Sequence, residues 1–332
     1  MLVQFFEKNW VRNVTSLLLL LLTLWCVLRP DYYFLQSGVG YIQYILIGEL
    51  LLGITFLLLR QPSLTFIAFG CCALLCLFLK FNSNTFIKVP KVTDQPIFNI
   101  AHFNLANSDS EPEVTFNTML ESQADLISVQ EVTPLWDSML HVNLVEQYPY
   151  FYRLVDIGLY GMAVYSKQPF LKLDTFHYQN IPNIIGQIAS KLPEAKPVHF
   201  IISHTMPAFS SDTYAHLQKH LKLVAKKCAR IKEPLVTLGQ YNAITWSNVI
   251  QNFREQSQLS DSRELIRTQS NGGVLPFFDV PEDYIFYSAD YFNCLTFETL
   301  SSENASHIGI KTTLQFRNIV SAHEQKHLPK AN

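Results

Sequence analysis

Glycine is scarce in this chain, 12 of 332 residues, and none of it forms a glycine-rich phosphate loop. That removes the nucleotide-cradling folds that depend on such a loop. A Gly-x-Ser-x-Gly elbow is also missing, so a serine hydrolase of that design is excluded. There is no internal repeat and no low-complexity tract. Charge is low as well, 16% of residues, with 25 Lys and Arg against 27 Asp and Glu. From Val92 onward the count is 18 basic against 24 acidic, a net charge of −6. A protein that grips duplex DNA presents a basic surface, so that class of partner is disfavoured. Six cysteines are present, but Cys26, Cys71, Cys72 and Cys76 lie in apolar runs, where they act as small hydrophobes. Cys228 and Cys294 remain, with no spacing that makes a disulfide framework or a metal site.

What the chain has in abundance is apolar residues, 48% of the total, and they are concentrated near the start. One run covers Val14 to Leu28, a second Tyr41 to Leu59 with Glu49 as its only charge, and a third Leu64 to Leu79. A bilayer core needs roughly 17 to 25 such residues per helix, and the third run is at the short limit. The expectation is a membrane anchor of three transmembrane helices over residues 1–82, then a linker over 83–95. A cleaved signal peptide would explain Lys8 and Arg12 before the first run, but not the two runs that follow. Three crossings put the two ends on opposite sides, and a cytoplasmic N-terminus places the remainder on the extracytoplasmic side. Lys8, Arg12 and Arg60 against Arg29, Lys80, Lys88 and Lys91 give little bias either way. Glu49 is expected to be protonated or paired inside the bundle.

After the linker the pattern changes. Short runs rich in Ile, Val and Phe alternate with amphipathic segments, the pattern of an α/β domain, expected over residues 96–316 with a polar tail over 317–332. Strands are predicted at Ile97 to Phe103, Leu126 to Gln130, Gly161 to Tyr165, Val198 to Ser203, Leu235 to Leu238, Tyr284 to Tyr287 and Ile308 to Phe316. Tyr214, Leu217, Leu221, Val224 and Cys228, at steps of three and four, predict a helix. Its basic run, Lys219, Lys222, Lys226, Lys227 and Arg230, reads as a solvated face. His216 and His220, four apart on it, lack an intervening carboxylate base and read as solvated residues rather than zinc ligands. Polar residues end five apolar strands: Asn104, Glu131, His204, Asn242 and, before the last strand, His307. Each alone is an ordinary strand end. Together they mark where a rigid sheet can gather chemistry.

The segments ADLISVQEV, GMAVYSKQP, FIISHTMP, PLVTLGQYNAITWS, EDYIFYS and ASHIGI, in this order, resemble the signatures of the endonuclease/exonuclease/phosphatase superfamily of metal-dependent phosphoesterases. The resemblance covers about Pro96 to Phe316 and implies a two-sheet α/β sandwich of the DNase I type. It implies Mg2+ or Mn2+ at Glu131, with Asn104 beside it. It gives His204 a contact to the scissile phosphate and Asn242 a part in orienting it, and pairs His307, which stabilises or protonates phosphate oxygens, with Asp283, which orients the imidazole. Two positions depart from the family pattern: Gln240 stands where Gly-Asp-x-Asn has its aspartate, and Ser306 where Ser-Asp-His has its own. Tyr284 replaces a histidine found in many members. Glu303 and Asp109 are the nearest carboxylates in sequence. An amide cannot accept a proton at neutral pH, and one placed base supplies roughly 10²- to 10⁴-fold in rate. Two readings follow: a membrane-anchored phosphodiester or phosphomonoester hydrolase with an altered site, or a pseudoenzyme of the same fold that binds a phosphorylated ligand or a protein partner. A phosphorylated small molecule, a lipid headgroup or an extracellular nucleic acid would suit confinement at a bilayer.

Overall fold

A computed structural model describes residues 2–29, 31–82, 92–108, 111–190, 196–264, 282–302 and 307–317. Within them, strands β1 (Ile97–Asn104), β2 (Leu126–Gln130), β3 (Tyr150–Leu154), β4 (Met162–Ser166), β11 (Phe292–Leu300) and β12 (Gly309–Phe316) form one sheet in the order β11-β12-β1-β2-β4-β3. The second sheet runs β5-β6-β7-β8-β10-β9, from β5 (Phe170–Tyr178), β6 (Ile181–Ile188), β7 (Val198–Ser203), β8 (Leu235–Gln240), β9 (Ser260–Asp261) and β10 (Asp283–Tyr287). The sheets face each other across a core that includes Phe98, Ile100, Leu126, Val164, Phe200, Ile202, Leu238, Ile285 and Ile310. Helices α6 (Pro112–Glu121) and α7 (Pro134–Leu144) cover the outer face of the first sheet, packing on Ala101, Phe103, Ile127 and Val129. Helices α8 (Ser211–Arg230) and α9 (Asn248–Ser257) cover the second through Ile201, Leu235 and Phe286.

This layering explains the apolar runs. Side chains alternate faces along a strand, and where both faces are covered both sets must be apolar. All seven predicted strands are present. Those that escaped prediction, β3, β5, β6, β9 and β11, lie toward the sheet edges, where β3 and β5 have no fully buried residue and β11 has three. The predicted helix is α8. Ser210 and Thr213 cap it reciprocally, at 3.2 Å and 2.8 Å from each other's backbone N–H, and satisfy donors a helix start otherwise strands. Lys219, Lys222, Lys226 and Arg230 are exposed as expected. His220 is not: it is buried, with Nε2 2.9 Å from Asn183 Oδ1 and its ring stacked on Tyr178. Cys228 and Cys294 are both buried and are not joined in a disulfide.

Among the described residues five helices precede the sandwich: α1 (Leu2–Glu7), α2 (Asn9–Leu28), α3 (Tyr33–Val39), α4 (Ile42–Leu58) and α5 (Pro62–Asn82). The expectation of three full spans is corrected here, because two among the described residues, α2 and α5, are long and apolar enough to cross a membrane. The run placed at the short limit, Leu64 to Leu79, becomes the 21-residue α5. The middle run yields only the 17 residues of α4, since the chain leaves the helix after Leu58 and Arg60 takes a left-handed φ of 56°. At 1.5 Å per residue that is about 26 Å, against a hydrocarbon core of about 30 Å. In α2 and α5, 22% and 39% of the most apolar stretch is buried, whereas the core helix of a soluble protein would be mostly buried. Leu18, Leu21 and Phe66 are exposed. Glu49 is buried between helices and accepts a hydrogen bond from Thr23 Oγ1 at 2.7 Å.

Candidate active site

The strand registers bring the polar ends to one edge of the sandwich. In the first sheet Asn104 pairs with Gln130, and Phe103 with Gly309, two residues beyond His307. In the second, Asp283 pairs with Gln240 and Tyr284 with Gly239. Gly239 has φ 141°, and a Cβ there would stand 1.9 Å from Ser203 O, so the two central strands of this sheet meet only because no side chain intervenes. Gln130 then stitches the sheets together. Its Nε2 donates to Ser203 O and its Oε1 accepts from the backbone N–H of Gln240, each at 2.9 Å.

Two of the polar ends carry backbone strain. Glu131 and Asn242 have φ values of 61° and 46°, in the left-handed region that costs a non-glycine residue about 1 kcal/mol or more. Asn104 Nδ2 donates to Glu131 Oε1 at 3.2 Å and to Gln240 Oε1 at 2.6 Å, while its Oδ1 accepts from Ala106 N at 2.9 Å. Asn104 therefore orients Glu131, while its Oδ1 holds one backbone N–H and keeps a second lone pair. Asn242 Nδ2 donates to Thr205 O at 2.6 Å. His307 Nε2 meets Asp283 Oδ2 at 2.7 Å, and His307 Nδ1 is buried with no partner among the described residues. The ring of His204 packs on Tyr160, centroids 5.6 Å apart.

His102 is the residue the sequence reading passed over. It lies two positions before Asn104 on β1, so it shares that residue's face between the sheets. Fully buried, it places Nε2 3.6 Å from Asp283 Oδ1 and Nδ1 3.1 Å from Ser128 Oγ. The period-two pattern was the signal that would have found it. Asp283 thus sits between two imidazoles. Burial pushes its carboxyl up, but hydrogen bonds and charge from His102 and His307 outweigh that and hold it well below the usual carboxylate range. Burial pushes His204 down to about 4, helped by His102, which leaves it neutral at pH 7. Burial raises Glu131, and Asp283 adds to the rise against the opposing hydrogen bond from Asn104.

Ser306, Glu303 and Asp109 lie outside the described residues. Tyr284 faces away from the pocket, packed on Tyr241 and donating to Ala243 O at 2.6 Å, so its replacement of histidine leaves the pocket untouched. His216 and His220 sit on α8, bonded to Tyr178 and Asn183. Among the described residues no group of three His, Cys, Asp or Glu side chains is placed to hold a metal. Magnesium, however, keeps several waters and is commonly held by one or two carboxylates plus substrate phosphate. Glu131, with one carboxylate oxygen free of Asn104, fits that minimal role and does not fit a closed protein cage.

Comparison with solved structures places this sandwich among known ones. An endonuclease/exonuclease/phosphatase from Beutenbergia cavernae superimposes with a TM-score of 0.51 at 15% identity, covering 66% of this chain and 72% of that one. A family protein from Bacteroides thetaiotaomicron gives 0.51 at 16%, covering 68% and 100%. D. rerio TDP2, complexed with a single-strand DNA product, gives 0.52 at 16%, covering 66% and 99%. These likenesses establish the fold. No curated protein matches the sequence. The model of the Endonuclease/Exonuclease/phosphatase family matches residues 98–306, more than half of the chain, across the strands that hold Asn104, Glu131, His204, Asn242 and Asp283, and the chain belongs to that family.

Proposed function

We propose that this protein is a membrane-anchored, divalent-metal-dependent phosphoesterase whose altered site turns over slowly. The observation that carries the reading is the convergence of Glu131, His204 and the Asp283–His307 pair on one sheet edge. Magnesium or manganese at Glu131 would neutralise charge on the phosphoryl oxygens. Asn104 holds the Glu131 carboxylate in place. His204, held neutral by burial, has a single ring N–H with which to meet a phosphoryl oxygen. Asp283 fixes the His307 ring through Nε2, which leaves Nδ1 as the atom that hands a proton to the departing oxygen. Gln240 can hold a water through its carbonyl oxygen but cannot deprotonate it, and that step limits the rate.

One observation favours the second reading, a binder without turnover: the Gln240 carbonyl oxygen is already engaged by Asn104 at 2.6 Å. The deciding experiment is hydrolysis of bis-p-nitrophenyl phosphate by the purified chain with magnesium or manganese. Turnover that disappears in Glu131→Ala supports the enzyme, and Gln240→Asp should then raise the rate about 10²-fold or more. Silence in the wild type, with activity only after Gln240→Asp and Ser306→Asp together, identifies a binding protein on an intact scaffold.

A further inference from the structure

The pocket is tied to the apolar helices by a very short piece of chain. Asn242 lies at the pocket, and Trp246, four residues on, is buried among Cys26, Val39, Ile42, Cys72, Leu75 and Phe78 at the end of the helical bundle. Its indole Nε1 donates to Val39 O at 3.1 Å, and its own carbonyl accepts from Arg29 Nη1 at 3.1 Å. Asn248 Nδ2 donates to Arg29 O at 2.9 Å and Gln251 Nε2 to Asn82 O at 2.8 Å, so the C-terminal ends of α2 and α5 both close on this one segment. Four residues of extended chain reach at most about 14 Å. The headgroup zone on each side of a bilayer is roughly 5 to 8 Å deep. A pocket within that reach of a residue seated in the bundle end lies at, or just above, the level of lipid phosphates.

A second observation points the same way. The loop between β3 and β4 presents Val155, Ile157 and Leu159 on alternate residues, with Ile157 88% exposed. That loop is anchored beside the site at its two ends, Ile157 standing clear of it: Asp156 N donates to Val132 O at 3.2 Å beside Glu131, and Tyr160 packs on His204. On the segment between His204 and α8, Phe209 is 82% exposed. Tyr214, in the first turn of α8, donates to Asp31 just beyond α2. Apolar side chains therefore flank a polar pocket on segments joined to the membrane-facing helices, and an aqueous substrate would leave them uncovered.

We propose that the loops bearing Ile157 and Phe209 enter the bilayer interface and that the substrate is the phosphodiester headgroup of a bilayer lipid. The proposal rests on the phosphoesterase reading and on the helices crossing the membrane. In the reaction a water oxygen bonds to phosphorus and one P–O ester bond breaks. The alkoxide takes the proton on His307 Nδ1, and the proton released by water restores it.

The test uses the full chain reconstituted in phosphatidylcholine and phosphatidylglycerol vesicles, reading lipid hydrolysis by phosphorus NMR beside hydrolysis of bis-p-nitrophenyl phosphate. The double variant Ile157→Ser, Phe209→Ser should lose about tenfold or more on vesicle lipid, the factor carried by about 1.4 kcal/mol of interfacial burial, with the soluble diester unaffected. In Ile157→Trp, brominated lipids should quench fluorescence added by the new indole. Turnover of the soluble diester without lipid hydrolysis, or equal lipid turnover by the double variant, overturns the lipid assignment and leaves the phosphoesterase reading standing. Hydrolysis of neither substrate overturns both.

Discussion

His220 shows how one buried side chain ties stability to pH. Burial, with His204 adding to it, pushes its imidazole down to about 4, and its Nε2 is held by Asn183. A histidine in the unfolded chain titrates near 6.5, so the unfolded state takes up the proton first as pH falls. The stabilisation is therefore complete above that value, is lost as pH drops toward 4, and changes no further below it. Between pH 7 and pH 5 the loss is about 2 kcal/mol for such a group. His220→Gln keeps a donor for Asn183 and cannot ionise, so it should flatten the decline in Tm of the chain in detergent over that interval. An unchanged acid sensitivity would refute this. Two histidines of the pocket differed in how plainly they could be read. His204 ends an apolar run and announces itself, whereas His102 lies inside one and depends on strand periodicity to be noticed.

At the scale of elements, the junction of β2 with β7 and β8 depends on the Gln130 side chain, which spans the two sheets at the pocket. Gln130→Leu would fill similar volume but leave Ser203 O and the Gln240 N–H buried without partners. At roughly 1 to 3 kcal/mol for each of the two orphaned groups, the expected cost is about 2 to 6 kcal/mol, measured by thermal unfolding. A loss well below 1 kcal/mol would mean that water satisfies both groups and that Gln130 is no stitch. The same two-sided covering that makes this junction demanding made the central strands readable. Edge strands such as β5 and β11 are less deeply buried, β5 having no fully buried residue, and their mixed sequences carry no comparable run.

Over the whole molecule, the ends of α2 and α5 meet the sandwich at Trp246, Asn248 and Gln251, while the turn between α4 and α5 and the start of α2 lie at the far end of the bundle. If α2, α4 and α5 each cross the bilayer, the N-terminus and the sandwich face opposite compartments. Protease added to sealed right-side-out membranes should then remove a tag at one terminus and spare the other. Cleavage of both, or of neither, would exclude three crossings.

By itself the sequence determined the apolar bundle, the α/β alternation and the chemical identity of the strand ends, because each is written in local periodicity and composition. Only the tertiary structure decided that α4 stops short, that Asn104 spends its amide on Glu131 and Gln240, that Asp283 lies between His102 and His307, and that Trp246 joins the pocket to the bundle. Those are contacts between residues up to about two hundred positions apart. No local pattern specifies them, since they depend on how two sheets and a bundle settle against one another.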